Sequence, residues 1–271
     1  MKAVVKETLC PLTATPDPSA TRTDEVLLGM TVEVLEQTGD RYWWVEAPYR
    51  YRGFAPVSCL ETDPRRVEAW EKLPKKIMLH KNFSEVKPQP RVQANAMGFL
   101  TRGALVAVLP EEPKDGWQSV LLPDGEQGWL RAGTLADIPF SPESLGEEEL
   151  RRKLVDTAFL YRGTPYRWGG KTPLGIDCSG LVSMAYLLCG ITIYRDAEAK
   201  EGFPLRRIPV FARKPGDLLF FPGHVAMYMG REQFIHSTLK SDGVAVHSLD
   251  PAHACYREDL AKSILYAGSW F

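Results

Sequence analysis

No stretch of this sequence comes near the apolar length needed to span a bilayer, which excludes a helical membrane protein. Basic tracts are missing too, and the formal net charge is -1. Nothing in that balance draws the chain to nucleic acid or to an anionic membrane. There is no CxxC pair. The five cysteines (10, 59, 178, 189 and 255) are odd in number and scattered, which fits neither a disulfide framework nor a zinc ribbon. The opening MKAVVKETLCPLTATPDP has no long apolar run ending in a small-residue cleavage pattern. A cytoplasmic protein with reduced thiols is therefore the expectation.

What is present is a soluble, globular composition, 44% hydrophobic and 25% charged, in a chain long enough for two or three domains. Residues 1–62 alternate apolar and polar side chains at the period of half-buried strands. EVLLGMTVEVLEQTG is followed by RYWWVEAPYRYRGFAPVSCL, with turns at TGD and APYRYRG. Residues 63–74 read as a short charged helix or linker. A second β segment at 75–140 repeats the order of the first: an apolar strand entered through glycine, a polar loop, a Trp-bearing strand, a turn, and a Gly-aromatic strand. Gly53-Phe54 and Gly128-Trp129 mark the matching positions. This repetition predicts a duplicated small barrel, and its pattern resembles bacterial SH3-like domains.

Residues 141–271 change character. SPESLGEEELRRKLVDTAFLYRG predicts an amphipathic helix through Leu150, Leu154, Ala158 and Tyr161, with Ser144 and Glu147 spaced as a capping box. A Gly/Pro-rich loop leads into CSGLVSMAYLLCG, an apolar helix ended by Gly190. PGDLLFF, HVAMYMG, QFIHST and GVAVHSL then read as successive strands, an α+β arrangement.

The first residue of that apolar helix is Cys178. Helix starts lower thiol pKa values and so favour the nucleophilic thiolate. Asp177 beside it suits a cap. Such a nucleophile needs a base, and the base needs an orienting group. His224 begins HVAMYMG and His236 lies in the next strand, so adjacent antiparallel strands bring both imidazoles to one place. His80 lies in the second β segment, His253 in a polar loop, and His247 alternates with apolar residues as a structural side chain does. Cys189 is three helical turns from Cys178 and reads as packed. Asp217 reads as a turn residue before a strand. A zinc site of Cys178, His224 and His236 lacks a structural fourth ligand, so no metal is expected.

PYRWGG…DCSGLV followed by PGDLLFF…GHVAMYMG…FIHS closely resembles the NlpC-type cysteine peptidases of bacterial cell-wall metabolism, over about residues 145–271. The resemblance implies a papain-like α+β catalytic domain with a cysteine-bearing helix packed on an antiparallel sheet, preceded by two small all-β SH3-like barrels. It implies Cys178 as nucleophile, His224 as base and His236 as the residue that orients it. It also implies that Tyr166 and the Cys178 backbone N–H hold the oxyanion, with Asp177 and Ser179 flanking the substrate. Trp168 is a candidate to line the cleft, with packing on the core as the alternative.

The layout of two barrels before this domain further resembles γ-D-glutamyl-L-diamino-acid dipeptidyl peptidases. In that subgroup the first barrel recognises a free N-terminal L-Ala, which by analogy points to Tyr51 and an acid, Glu25 or Asp24, together with Asp177. The implied substrate is a murein peptide, L-Ala-γ-D-Glu-diamino acid, cut without a cofactor during recycling of cell-wall fragments. The alternatives are an endopeptidase on intact wall, a Cys–His acyl or peptidyl transferase, and a non-catalytic peptidoglycan-binding module.

Overall fold

The alternating segments of the first half become strands, each with a buried face. These are β1 (Lys2–Val5), β2 (Leu9–Thr13), β3 (Arg22–Leu27), β4 (Thr31–Glu36), β5 (Tyr42–Glu46), β6 (Arg52–Pro56) and β7 (Leu60–Glu61). They form one sheet in the order β3-β2-β6-β5-β4-β1-β7. The following β8 (Lys75–Met78), β11 (Leu105–Val108), β12 (Trp117–Leu121), β13 (Gln127–Arg131) and β14 (Leu135–Asp137) form a second, ordered β13-β12-β11-β8-β14. The hairpin β9 (Phe83–Val86) and β10 (Gly98–Thr101) stands beside it in sequence as β2 and β3 do in the first. The order β6-β5-β4-β1-β7 therefore recurs as β13-β12-β11-β8-β14. A 3-10 turn, Val57–Cys59 or Ala132–Thr134, precedes the last strand of each copy. The internal repeat read from the sequence is a repeat of strand order.

Residues 63–74 hold α1 (Pro64–Lys72), capped by Asp63, whose carboxylate accepts the Arg65 N–H at 2.8 Å. The helix does more than link. Its buried Val67 and Trp70 pack with Val4 of β1 and Ala107 of β11, and Trp70 Nε1 donates to Gly29 O at 3.0 Å. Leu28, just after β3, joins the second core with Met78, Leu100, Val106 and Leu130. At Gly29, φ is +83°, and an added Cβ would lie 2.2 Å from the Leu105 carbonyl. Both repeats thus belong to one compact unit, Met1–Ile138.

This computed structural model describes residues 1–138 and 141–271; the last two positions expected for the second β segment, 139 and 140, lie outside them. The second compact unit is Pro139–Phe271. It opens on α2 (Glu147–Phe159) and α3 (Cys178–Leu187), with the small hairpin β15 (Lys171–Thr172) and β16 (Gly175–Ile176) between them. The expected capping box does not form. Pro142 starts a 3-10 turn over Pro142–Ser144, and Gly146 becomes the N-cap. Glu147, Glu148 and Glu149 fill the first turn instead, where acidic charge suits the helix dipole.

The sheet comprises β17 (Arg206–Ile208), β18 (Leu218–Phe221), β19 (His224–Gly230), β20 (Gln233–Thr238), β21 (Gly243–Ser248) and β22 (Tyr266–Ser269), with α4 (Glu258–Ala261) before the last strand. Its order is β17-β22-β18-β19-β20-β21, antiparallel throughout. Leu219, Phe221, Ala226, Phe234 and Leu260 are buried together, while α3 packs on β19 and β20. Asp217 fixes the turn before β18: it accepts the Lys214 N–H at 2.8 Å and pairs with Arg151 of α2 at 2.9 Å. Among the described residues no helix is long and apolar enough to cross a membrane.

Candidate active site

Cys178 is the first residue of α3, and Asp177 is its N-cap, accepting the Gly180 N–H at 2.6 Å. Gly180 is required there for space. A Cβ on it would lie 2.1 Å from the Gly170 carbonyl, so the helix start and the PYRWGG loop are in direct backbone contact. The Asp177 carboxylate is fully engaged. Oδ1 accepts from Gly180 N, from Ser179 Oγ at 3.2 Å and from Arg195 Nη1 at 3.0 Å. Oδ2 accepts from Gly169 N at 2.8 Å and Arg195 Nη2 at 3.2 Å. Five donors meet a group with about four lone-pair sites.

Arg195, 1% exposed, also donates to Ser179 Oγ at 2.7 Å and to the Gly170 carbonyl at 3.2 Å. Sequence reasoning missed it. The signal was the alternation Ile191, Ile193, Arg195, which sets the guanidinium on the inward side of an apolar segment. A buried cation there demands a buried carboxylate.

Cys178 itself is buried, and the N–H groups of Val225 and Ser179 reach its sulfur. Burial, followed by the Asp177 charge, pushes its thiol up to about 11, against the lowering pull of those two N–H groups and Arg195. The expectation of a thiolate favoured by the helix start is overturned by desolvation, which exceeds the dipole effect. Tyr166 is near enough to Cys178 and Asp177 for both to raise its hydroxyl, after burial, to about 12. It is an O–H donor throughout the neutral range.

Val225 follows His224, so the N–H contact to sulfur sets the start of β19 beside the thiol. His224 Nε2 and His236 Nδ1 lie 2.7 Å apart, with their rings edge to face at 74°. With Nε2 engaged, Nδ1 is the His224 nitrogen left to take a proton. Burial first, then Arg257, holds His224 down to about 4. Burial and the neighbouring histidines hold His236 down to about 2. The pair is uncharged at neutral pH. His236 is continued by His247, whose Nδ1 is 2.9 Å from His236 Nε2.

Such an assembly can accept a thiol proton and redistribute its charge along imidazoles. The other residues singled out from sequence lie as follows. Ser179 is buried under Arg195. Trp168 is 63% exposed, which separates it from the packed core. In the first unit, Asp24 and Glu25 are buried. Asp24 accepts from Tyr49 Oη at 2.5 Å, and Glu25 pairs with Arg22 at 3.6 Å. Tyr51 is half-buried. Cys189 is buried against Thr157 Oγ1 at 3.6 Å. His253 contacts Gln233 at 3.1 Å. Among the described residues no group of three His, Cys, Asp or Glu side chains is placed to hold a metal.

Residues 163–260 match the NlpC/P60 family. Over 273 aligned residues the chain is 39% identical to Dipeptidyl-peptidase 6 of Lysinibacillus sphaericus, covering all of both proteins. The chain belongs to the NlpC/P60 family. It is also 28% identical over 255 residues to Gamma-D-glutamyl-L-lysine dipeptidyl-peptidase of Bacillus subtilis, covering 87% of this chain and 78% of that protein. A crystal structure of an NlpC/P60 family protein from Bacillus cereus superposes with a TM-score of 0.79 at 22% identity, over 100% of this chain and 99% of the other, which shows a shared fold. Membership makes this chain a cysteine peptidase of the cell-wall peptide class, and the thiol and histidines lie inside the matched segment.

Proposed function

We propose that the protein hydrolyses the bond between the γ-carboxyl of D-Glu and the following diamino acid in murein peptides, releasing L-Ala-γ-D-Glu from fragments with a free N-terminal L-Ala. The observation that carries the chemistry is the His224–His236 contact beside the helix-start thiol. The full-length likeness to a dipeptidyl-peptidase supports the choice of bond. The recurring strand order in the first unit supports reading it as two SH3-like barrels that help place the peptide, and a cytoplasmic recycling role suits so short a substrate.

In this reading Cys178 Sγ attacks the γ-carbonyl carbon as its proton passes to His224 Nδ1. His236 accepts from His224 Nε2–H and stabilises the imidazolium. The tetrahedral oxyanion is held by the Tyr166 hydroxyl and the Cys178 backbone N–H, donors whose charge stabilisation commonly supplies about 3 kcal/mol each. His224 returns its proton to the leaving amine, and water, deprotonated by the same base, hydrolyses the thioester. Asp177 and Ser179, engaged with Arg195, hold the nucleophile's helix and flank the substrate. Trp168, exposed in the PYRWGG loop, would flank the scissile region.

Cys178→Ala is expected to abolish release of L-Ala-γ-D-Glu from the tripeptide while leaving the protein folded, as read by product chromatography and circular dichroism. N-acetylating the substrate's alanine is expected to remove most activity. Equal rates on free and acetylated peptides would point to an endopeptidase on intact wall, and undiminished turnover by the alanine variant would remove Cys178 from its role.

A further inference from the structure

The hydrogen-bonded histidines continue past the pair that the reaction requires. His247 of β21 lies directly opposite Phe234 of β20, two residues from His236 on the same strand face. Diagonal neighbours on one face of a sheet are within reach of long side chains. Here the reach is used: His236 Nε2 and His247 Nδ1 are 2.9 Å apart, with rings perpendicular at 89°. His236 is fully buried, so no solvent stands in for a missing partner.

We propose that His247 is a positioning residue for the Cys178–His224 reaction: its Nδ1 accepts from His236 Nε2–H and holds His236 in the tautomer that accepts from His224. The direction of each bond follows from the task. His224 must keep Nδ1 bare to take the thiol proton, so its proton is on Nε2 and is donated to His236 Nδ1. That nitrogen must be a bare acceptor, which puts the His236 proton on Nε2. A proton on Nε2 needs an acceptor, and His247 Nδ1 is the one provided.

Without that acceptor, the Nδ1–H tautomer of His236 gains weight. It sets two N–H groups against each other at 2.7 Å. The conflict is relieved by moving the His224 proton to Nδ1, where the imidazole no longer accepts from sulfur. The inference rests on the reading of Cys178 and His224 as nucleophile and base, and not on which peptide they cut.

The test compares His247→Leu, which removes the acceptor, with His247→Asn, whose Oδ1 falls near the place of Nδ1. The leucine variant is expected to lose about 10- to 100-fold in kcat/KM, by analogy with the loss on removing the hydrogen-bond partner that orients a metal-ligating histidine, with the loss in kcat. Iodoacetamide labelling of Cys178, followed by peptide mass spectrometry, is expected to slow in parallel, and His247→Asn to recover most of both rates. In the unmodified protein, nitrogen-15 NMR is expected to show His236 protonated at Nε2.

A leucine variant as fast as the parent overturns the proposal, as does an equal loss in both variants. So does a parent protein whose His236 is protonated at Nδ1, a result that needs no variant to fold. Labelling and NMR use no peptide substrate, so they stand or fall apart from the assignment of the scissile bond.

Discussion

At the residue scale, the proposed nucleophile and base, Cys178 and His224, meet as neutral groups. A helix start favours thiolate by a modest electrostatic stabilisation, about 0.3–1 kcal/mol and up to ~2 kcal/mol in partly buried sites. Burial of Cys178 next to the Asp177 carboxylate works the other way and wins, leaving the thiol near 11 and His224 near 4. Below the first value the sulfur carries its proton, and above the second the imidazole is uncharged, so the whole neutral range holds S–H and bare Nδ1. In the proposed reaction the proton therefore moves as the sulfur attacks, with no ion pair formed beforehand. Ultraviolet thiolate absorption, taken as the difference between the protein and Cys178→Ala, is expected to be absent at pH 7 and to grow only as pH rises toward about 11. An absorption step in the acid range would show a preformed thiolate–imidazolium pair instead.

At the element scale, α3 is held where its first residue can react. The clamp is Arg195 on Asp177, Ser179 and the Gly170 carbonyl, with Gly180 allowing the close approach. A buried ion pair adds little over apolar packing when both partners go together, but removing one partner strands the other and costs about 3–5 kcal/mol. Arg195→Met is therefore expected to lower unfolding stability by roughly that amount and to reduce turnover. Adding Asp177→Asn is expected to recover part of the stability but not the turnover. Denaturant unfolding of the parent and the two variants checks the order, and an Arg195→Met protein as stable as the parent would refute it.

Elements whose signal is local were legible. HVAMYMG and QFIHST appear as β19 and β20 over those same residues because each is a short, largely apolar run bounded by turn residues, buried along most of its length. The helix start at Cys178 was legible for the same reason, since its cap adjoins it. What depended on distant partners was not. Arg195 is buried only because Asp177 meets it, and His247 joins His236 only through the β20–β21 register. Ser144 and Glu147 had capping-box spacing, but Pro142 had already turned the chain.

At the scale of the whole molecule, the first unit poses a question of cooperativity. Duplicated strand order invites a picture of two independent barrels joined by a charged linker. The packing argues otherwise. α1 lays Val67 and Trp70 between Val4 of one repeat and Ala107 of the other, and Leu28 crosses from the first repeat into the second core. Truncating a buried tryptophan of this kind costs about 3–5 kcal/mol, a large fraction of the roughly 5–15 kcal/mol that holds a domain folded. Neither repeat keeps a full core without the other. Fragments 1–62 and 75–138 are therefore expected to lack dispersed amide signals in proton–nitrogen NMR when made separately. Fragment 1–138 is expected to fold and to melt in one transition, and Trp70→Ala within it to lower both halves together. Two separate transitions in 1–138, or a well-dispersed spectrum from 75–138 alone, would show barrels that fold independently and would reduce α1 to a connector.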